Sequence, residues 1–398
     1  MRSPRIGALL ASIAVLIPLG ASACSSPAPH SAGAARDCIT DFDPSKDYFP
    51  EKSTIEDATG LTIEYHRSYQ VVTVAHPAQG APPASYVLVR CGAPAPKLTG
   101  ELADAPQVEV PVRTVYAGST THLPGLAALG AADAVTGVAT TGFVSTPEIV
   151  ERIDAGKVQQ FTDAGAVNAE KVIAGRPDVL VTDGNDSPAF GKIRDAGVPV
   201  LADADWLEES PLGRAEWLKF FAALTGTEKQ ASSVYQSIKS QYRSVADRLS
   251  GVPKTPVLLG SIANGSWTMP SGGSYFGKLV ADAGATYPWI DDRAAGSLQL
   301  SIESVIARAR DSAVWLLSDP TVNSVADLDK QDPRYRAFAG PAKQAWNSTK
   351  AVNSGGGNDY WETGVLRPDL VLADIAAIAH PDLFAGHAFE FYLHLPQR

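Results

Sequence analysis

The chain has 398 residues, enough for two or three domains. With 45% hydrophobic and 19% charged residues it is neither a disordered protein nor a coiled coil. A formal charge of −10 leaves no general electrostatic footprint for nucleic acid or for an anionic membrane surface. Arg2 and Arg5 precede an apolar stretch, Ile6 to Leu19, that is short for a membrane span, so residues 1–23 read as a signal peptide.

The following Ala21-Ser22-Ala23-Cys24 resembles the lipobox of bacterial lipoproteins, which would place a lipid on Cys24. Ala21 stands where that motif usually has Leu, and ordinary cleavage after the small residues Ala21 to Ala23 is the alternative. Residues 24–37, rich in Ser, Ala and Pro, then form a lipid-anchored flexible tether. With Cys24 so used, an even pair of cysteines remains. In an exported chain Cys38 and Cys91 are expected to form a disulfide, and their spacing offers too few ligands for a metal.

Three β-rich runs, Leu61 to His66, Gln70 to His76 and Ser85 to Arg90, suggest an antiparallel meander within a β-rich extension, 38–108. An α/β pattern follows over 109–226, with strands at Val112 to Ala117, near Val135, at Val179 to Thr182 and at Val198 to Leu201, and helices between them. Glu228 to Leu249 lacks Gly and Pro and repeats apolar residues at helical spacing, giving a long linker helix over 227–250. Over 251–398 the pattern restarts: a strand Pro256 to Ile262, helices from Tyr275 and Ile302, a strand Ala313 to Ser318 and a last helix Pro368 to Ala379. The expected fold class is α/β, two Rossmann-like lobes with parallel-type sheets joined by one long helix, plus a small N-terminal β-rich extension.

Five strings carry a family resemblance: Ser119-Thr120-Thr121-His122-Leu123; Asn168 to Ile173 followed by Arg176-Pro177-Asp178; Ser271-Gly272-Gly273; Leu300 to Ile306; and Leu366-Arg367-Pro368-Asp369-Leu370. In order and spacing they resemble the class III periplasmic-type substrate-binding proteins of ABC importers, over about residues 110–385. The resemblance implies a cleft that takes iron-siderophores, haem or cobalamin, small lobe movements, and permease and ATPase subunits as partners. It implies nothing about the extension. It also implies that Glu170 and Glu303, at matching points of the two lobes, dock onto the transporter; a helix macrodipole or a capping box is the other explanation.

Loops at strand ends supply the ligand candidates. On the first lobe these are Thr121, His122, Thr141, Phe143, Asn185, Asp186 and Trp206, where Thr121 is equally suited to cap a helix. On the second they are Trp267, Tyr275, Trp289, Tyr360, Trp361 and Arg367, the rings covering apolar ligand surface and the Arg neutralising an anionic chelate. Core positions are the alternative for several rings. A free-metal site would need histidines from both lobes, and none lies between His122 and His380. Hydrolase and nucleotide motifs are absent, so neither catalysis nor a resident cofactor is expected. The sequence thus suggests an exported, lipid-anchored binding protein that hands an iron chelate, or a corrinoid or haem, to an importer; an adhesion or structural lipoprotein and a hydrolase on this fold are the further alternatives.

Overall fold

The computed structural model describes residues 38–294 and 296–397. The signal peptide, the lipidation at Cys24 and the tether lie outside the described residues. No helix among the described residues is long and apolar enough to cross a membrane.

β1 (Leu61–Tyr65), β2 (Tyr69–Val74) and β3 (Ala84–Arg90) form the antiparallel meander. β4 (Gln107–Val110) joins it parallel to β3, so the sheet is mixed rather than purely antiparallel. Parallel neighbours need a crossover, and residues 91–106 provide it. Strand alternation sends Leu61, Val72, Val74, Tyr86, Leu88, Val108 and Val110 to one face, where they enter the same core as Val115, Leu126, Val179 and Phe221. The extension is therefore continuous with the first α/β lobe. Cys38 and Cys91 are joined by a disulfide, their Cα atoms 4.9 Å apart.

The first lobe contains β5 (Val115–Ala117), α1 (His122–Ala128), β6 (Val135–Val138), α2 (Pro147–Asp154), β7 (Gln159–Gln160), the hairpin β8 (Thr162–Asp163) and β9 (Ala166–Val167), α3 (Ala169–Gly175), β10 (Val179–Thr182), α4 (Ala189–Asp195) and β11 (Val200–Ala202). Its sheet is parallel throughout, in the order β11-β10-β5-β6-β7. β10 is buried along its whole length, which explains its unbroken apolar run. Helices α5 (Pro211–Glu216), α6 (Leu218–Thr225) and α7 (Glu228–Arg248) follow.

The second lobe contains β12 (Thr255–Leu259), β13 (Ser261–Ala263), β14 (Ser266–Pro270), α8 (Tyr275–Asp282), β15 (Ala285–Thr286), β16 (Ser297–Leu300), α9 (Ile302–Ala309), β17 (Val314–Leu317), α10 (Val325–Gln331), β18 (Ala345–Asn347), α11 (Thr363–Leu366), α12 (Pro368–Ala379) and β19 (Leu393–His394). Its main sheet runs β15-β12-β17-β18-β19, antiparallel only at β19. The run expected as one strand, Pro256 to Ile262, breaks at Gly260, and β13 turns into a separate antiparallel sheet, β13-β14-β16.

α7 is 21 residues long, about 30 Å. One stripe at helical spacing runs through both cores: Ala231, Tyr235 and Ile238 pack into the first lobe, and Tyr242 and Leu249 into the second. Each half of the helix is thereby fixed to a different lobe, which restricts hinge movement.

Candidate functional site

A cleft of about 380 Å³ opens where the carboxyl ends of β11, β12 and β17 meet, as expected for open parallel sheets. Trp206 and Leu207 form its first-lobe side, and Tyr275, Phe276, Tyr360 and Trp361 its second-lobe side. Local chemistry sets each ring. The Trp206 indole donates Nε1–H to the Asp183 carbonyl at 2.7 Å. Ser274 caps α8 by accepting from the Gly277 N–H, so Tyr275 leaves from the first helical position. Asn358 accepts from the Tyr360 N–H and donates to the Ser348 carbonyl, fixing the turn that presents Trp361. Trp361 is 44% exposed and stands edge-on to Tyr360, ring centres 4.8 Å apart.

A buried polar network backs this wall. Arg214 pairs with Asp205 (Nε to Oδ2, 2.8 Å), and its guanidinium lies 4.9 Å from the centre of the Tyr275 ring. Tyr275, Tyr360 and Tyr392 gather in this buried region, and burial raises all three phenols above their ordinary range. Asp203 lies beside them, where burial and the neighbouring Asp205 keep its carboxyl well above the usual carboxylate range.

His122 is wholly buried, with Nε2 3.7 Å from the Asp203 carboxylate, and burial pushes its pKa down to about 4. Between pH 6.5 and 4 the unfolded chain binds a proton at this histidine that the folded chain does not, so stability falls as the pH drops through that window. Replacing His122→Phe should remove about 2 to 3 kcal/mol of the loss between pH 7.5 and pH 4.5. Urea unfolding at the two pH values measures it. Asp203 contributes the opposite slope in both proteins, and an unchanged pH dependence in the variant would refute the assignment.

Among the described residues, the cleft lining holds two carboxylates, Glu208 and Glu209, and neither Lys nor Arg. Glu208 is buried and accepts from the N–H groups of Thr59 and Gly60 and from the Trp217 indole. Glu209, exposed on the rim, faces Lys278 of the second lobe at 3.5 Å.

The lobes also meet away from the cleft. The Glu362 carboxylate, 1% exposed, accepts from the Ser145 N–H at 2.9 Å and the Thr146 N–H at 2.7 Å. Asn353 donates to the Val144 carbonyl at 3.0 Å. Here backbone packs directly on backbone: a Cβ at Gly355 would fall 2.0 Å from the Gly142 oxygen, and one at Gly357 2.0 Å from the Phe143 oxygen.

Of the residues singled out in the sequence, the structure gathers Trp206, Tyr275, Tyr360 and Trp361 around the cleft. The others do not line it. Trp267 is completely buried, donating Nε1–H to the Leu259 carbonyl and packed against Trp315, Tyr335 and Phe338. His122 lies beneath the surface against Phe221. Thr121 bonds its neighbour Ser119. Phe143 belongs to the glycine contact, and Thr141, two residues before it, is bonded to Gln160. Asn185 and Asp186 are exposed and satisfied within their own loop. Trp289 packs on the second-lobe core with Arg308 over its ring. Arg367 is held bidentately by Asp369 and reaches Gln241 of the linker helix. Sequence reasoning missed Phe276 and Tyr392, which also line the cleft. Tyr392 arrives because the fully buried Asp374 carboxylate accepts from the N–H groups of Glu390, Phe391 and Tyr392.

Glu170 and Glu303 occupy equivalent places. Asn168 caps α3 and Ser301 caps α9, and each Glu is the second helical residue, one short of the capping-box position. Both side chains are largely exposed, at 77% and 72%, near Lys192 and Arg334 respectively. No cluster of three or more His, Cys, Asp or Glu among the described residues is arranged to hold a metal ion.

Two parallel-sheet lobes, one joining helix and a cleft at the strand ends make up the two-lobed binding-protein architecture. Residues 115–356 match the family model for periplasmic binding proteins, and the chain belongs to that family. An uncharacterized lipoprotein of Methanocaldococcus jannaschii is 29% identical over 253 residues, which span 62% of this chain and 58% of that relative. Among solved structures, a possible iron-binding (periplasmic solute-binding) protein of Staphylococcus epidermidis is 19% identical with a TM-score of 0.52, covering 67% of this chain and 98% of that one. A periplasmic haem-binding protein of Pseudomonas aeruginosa is 21% identical with a TM-score of 0.51, covering 68% and 93%.

Proposed function

We propose that the protein is the substrate-binding component of an ABC importer, held at the outer face of the cell membrane by a lipid on Cys24, and that it captures an iron chelate in the cleft between its lobes. The aromatic wall of that cleft, Trp206, Tyr275, Tyr360 and Trp361 at the strand ends, is the observation that carries this reading. The curated relative that is a lipoprotein and the solved structures described as iron- or haem-binding support it.

The charge of the lining narrows the ligand class. With Arg367 engaged by Asp369 elsewhere and Glu208 and Glu209 at the wall, the cleft favours a neutral or cationic complex over a polyanionic one. A hydroxamate-type ferric chelate fits this better than a tris-catecholate or haem with its propionates. A neutral corrinoid fits the same charge and is the second reading.

Tryptophan fluorescence of the mature protein, titrated with ferrioxamine B, ferric enterobactin, haemin and cyanocobalamin, tests the proposal. Ferrioxamine B should quench emission at micromolar concentration and ferric enterobactin only more weakly. Absence of quenching by all four would overturn it.

Glu170 and Glu303 serve as the docking points for the two permease subunits, with the ATPase subunits behind them. Changing both to Ala should abolish uptake by cells and leave ligand affinity within twofold of wild type. Normal uptake would remove that role.

A further inference from the structure

The β extension reaches the cleft. The turn after β2 places Gln79 in the cleft lining, on the first-lobe side beside the Trp206 to Glu209 segment. This turn is stiffly built: Pro77, Pro82 and Pro83 flank it, and the Ala81 N–H donates to the Ala78 carbonyl at 3.0 Å. It sits directly on the first-lobe loop that follows β10. The Pro77 carbonyl oxygen lies 1.5 Å from where a Cβ would stand at Gly184, whose φ is +83°, so only glycine permits the approach.

Two further ties fix the extension to the cleft wall. The Tyr86 hydroxyl accepts from the Ala202 N–H at 2.9 Å, at the end of the strand that leads into Trp206. The Thr59 and Gly60 N–H groups hold the Glu208 carboxylate, itself a lining residue. One side of the cleft is thus set by residues that precede the residue 115 start of the family match.

We infer that the extension is part of the binding site: its 77–81 turn is an outer wall of the cleft, and Gln79 is a specificity-determining contact for ligands that carry hydrogen-bonding groups on their periphery. The carboxamide offers both a donor and an acceptor without charge, which suits a neutral or cationic chelate with exposed amide or hydroxamate oxygens. This inference rests on the reading that the ligand occupies the cleft.

The test compares Gln79→Ala, Gln79→Trp and Trp361→Ala with the wild type, each titrated with ferrioxamine B and cyanocobalamin. Gln79 is exposed on a turn, so its variants should fold normally. Loss of a single hydrogen bond predicts a three- to tenfold weaker affinity for Gln79→Ala towards the probe that binds, and the bulk of Gln79→Trp should penalise the larger corrinoid more than the ferric hydroxamate. If Trp361→Ala weakens binding while both Gln79 variants stay within twofold of wild type for every probe, the extension is not part of the site and the cleft reading stands. If all three variants bind as the wild type does, the cleft reading falls. If the wild type binds neither probe, the assignment of Gln79 to a neutral or cationic chelate falls, and the cleft reading falls with it only when ferric enterobactin and haemin also fail to quench.

Discussion

Replacing Glu216→Ala should destabilise the folded protein by about 3 to 5 kcal/mol and release the segment around residues 56–60. The Glu216 side chain is wholly buried at the end of α5, and its carboxylate accepts from the backbone N–H groups of Glu56, Asp57 and Ala58 at 2.6 to 3.0 Å and from Lys219 Nζ at 2.6 Å. Removing it strands three backbone donors and leaves Lys219, also buried, with the Thr54 carbonyl and the face of the Tyr235 ring but no carboxylate partner. Lys239 of α7 grips the same segment through Asp57 and Glu56, so the loss also loosens the extension from the linker helix. Urea unfolding gives the energy, and amide exchange at residues 56–60 reports the release. Glu216→Gln, which keeps the shape and some acceptor capacity, should lie between the two. A loss below 1 kcal/mol with unchanged exchange would mean that Glu216 does not hold the extension.

Replacing Arg214→Met is expected to cost a similar 3 to 5 kcal/mol and to weaken ligand binding roughly tenfold. The guanidinium is the cation that neutralises Asp205 beside the buried Asp203, and its face lies against Tyr275. Without it two carboxyls share an apolar site with no partner of opposite charge. The double variant Arg214→Met, Asp205→Leu should recover much of the stability, because a buried pair replaced as a unit leaves no orphan charge. Binding should stay impaired in the double variant, since Tyr275 remains unsupported. Denaturation and fluorescence titration on the same samples separate the two effects. Full recovery of both would show that Arg214 has no part in placing the cleft wall.

Much of the architecture was legible because its signals are local. Unbroken apolar runs such as Val179 to Thr182 mark buried parallel strands, and the Gly-free, Pro-free stretch after Glu228 marks the linker helix. The parallel β4 was not legible, because its pairing depends on where the chain returns after residues 91–106. The candidate rings show the same division. Trp267 and Trp361 both stand near Gly, Ser and Asn, yet Trp267 alternates with Met269 on the inward face of β14, a period-two pattern that outranks its turn-like neighbours. Trp361 lies in a capped turn with no strand period and remains exposed. Arg367 was drawn from the cleft by a carboxylate two residues away, a local competitor visible in Arg367-Pro368-Asp369. Tyr392 and Gln79 carry no motif and reach the cleft only through contacts with distant segments, Asp374 for the one and Gly184 for the other.

The Cys38–Cys91 bond bears on how the body transmits force. Any pull on the chain preceding Cys38 passes through the disulfide to Cys91, which follows β3 directly and whose N–H donates to the Val110 carbonyl at the end of β4. The load enters the middle of the mixed sheet along a covalent path and bypasses β1, the strand that would otherwise peel first from its edge. A protein held by its N-terminal end could therefore be dragged or sheared without unzipping the sheet whose turn reaches the cleft.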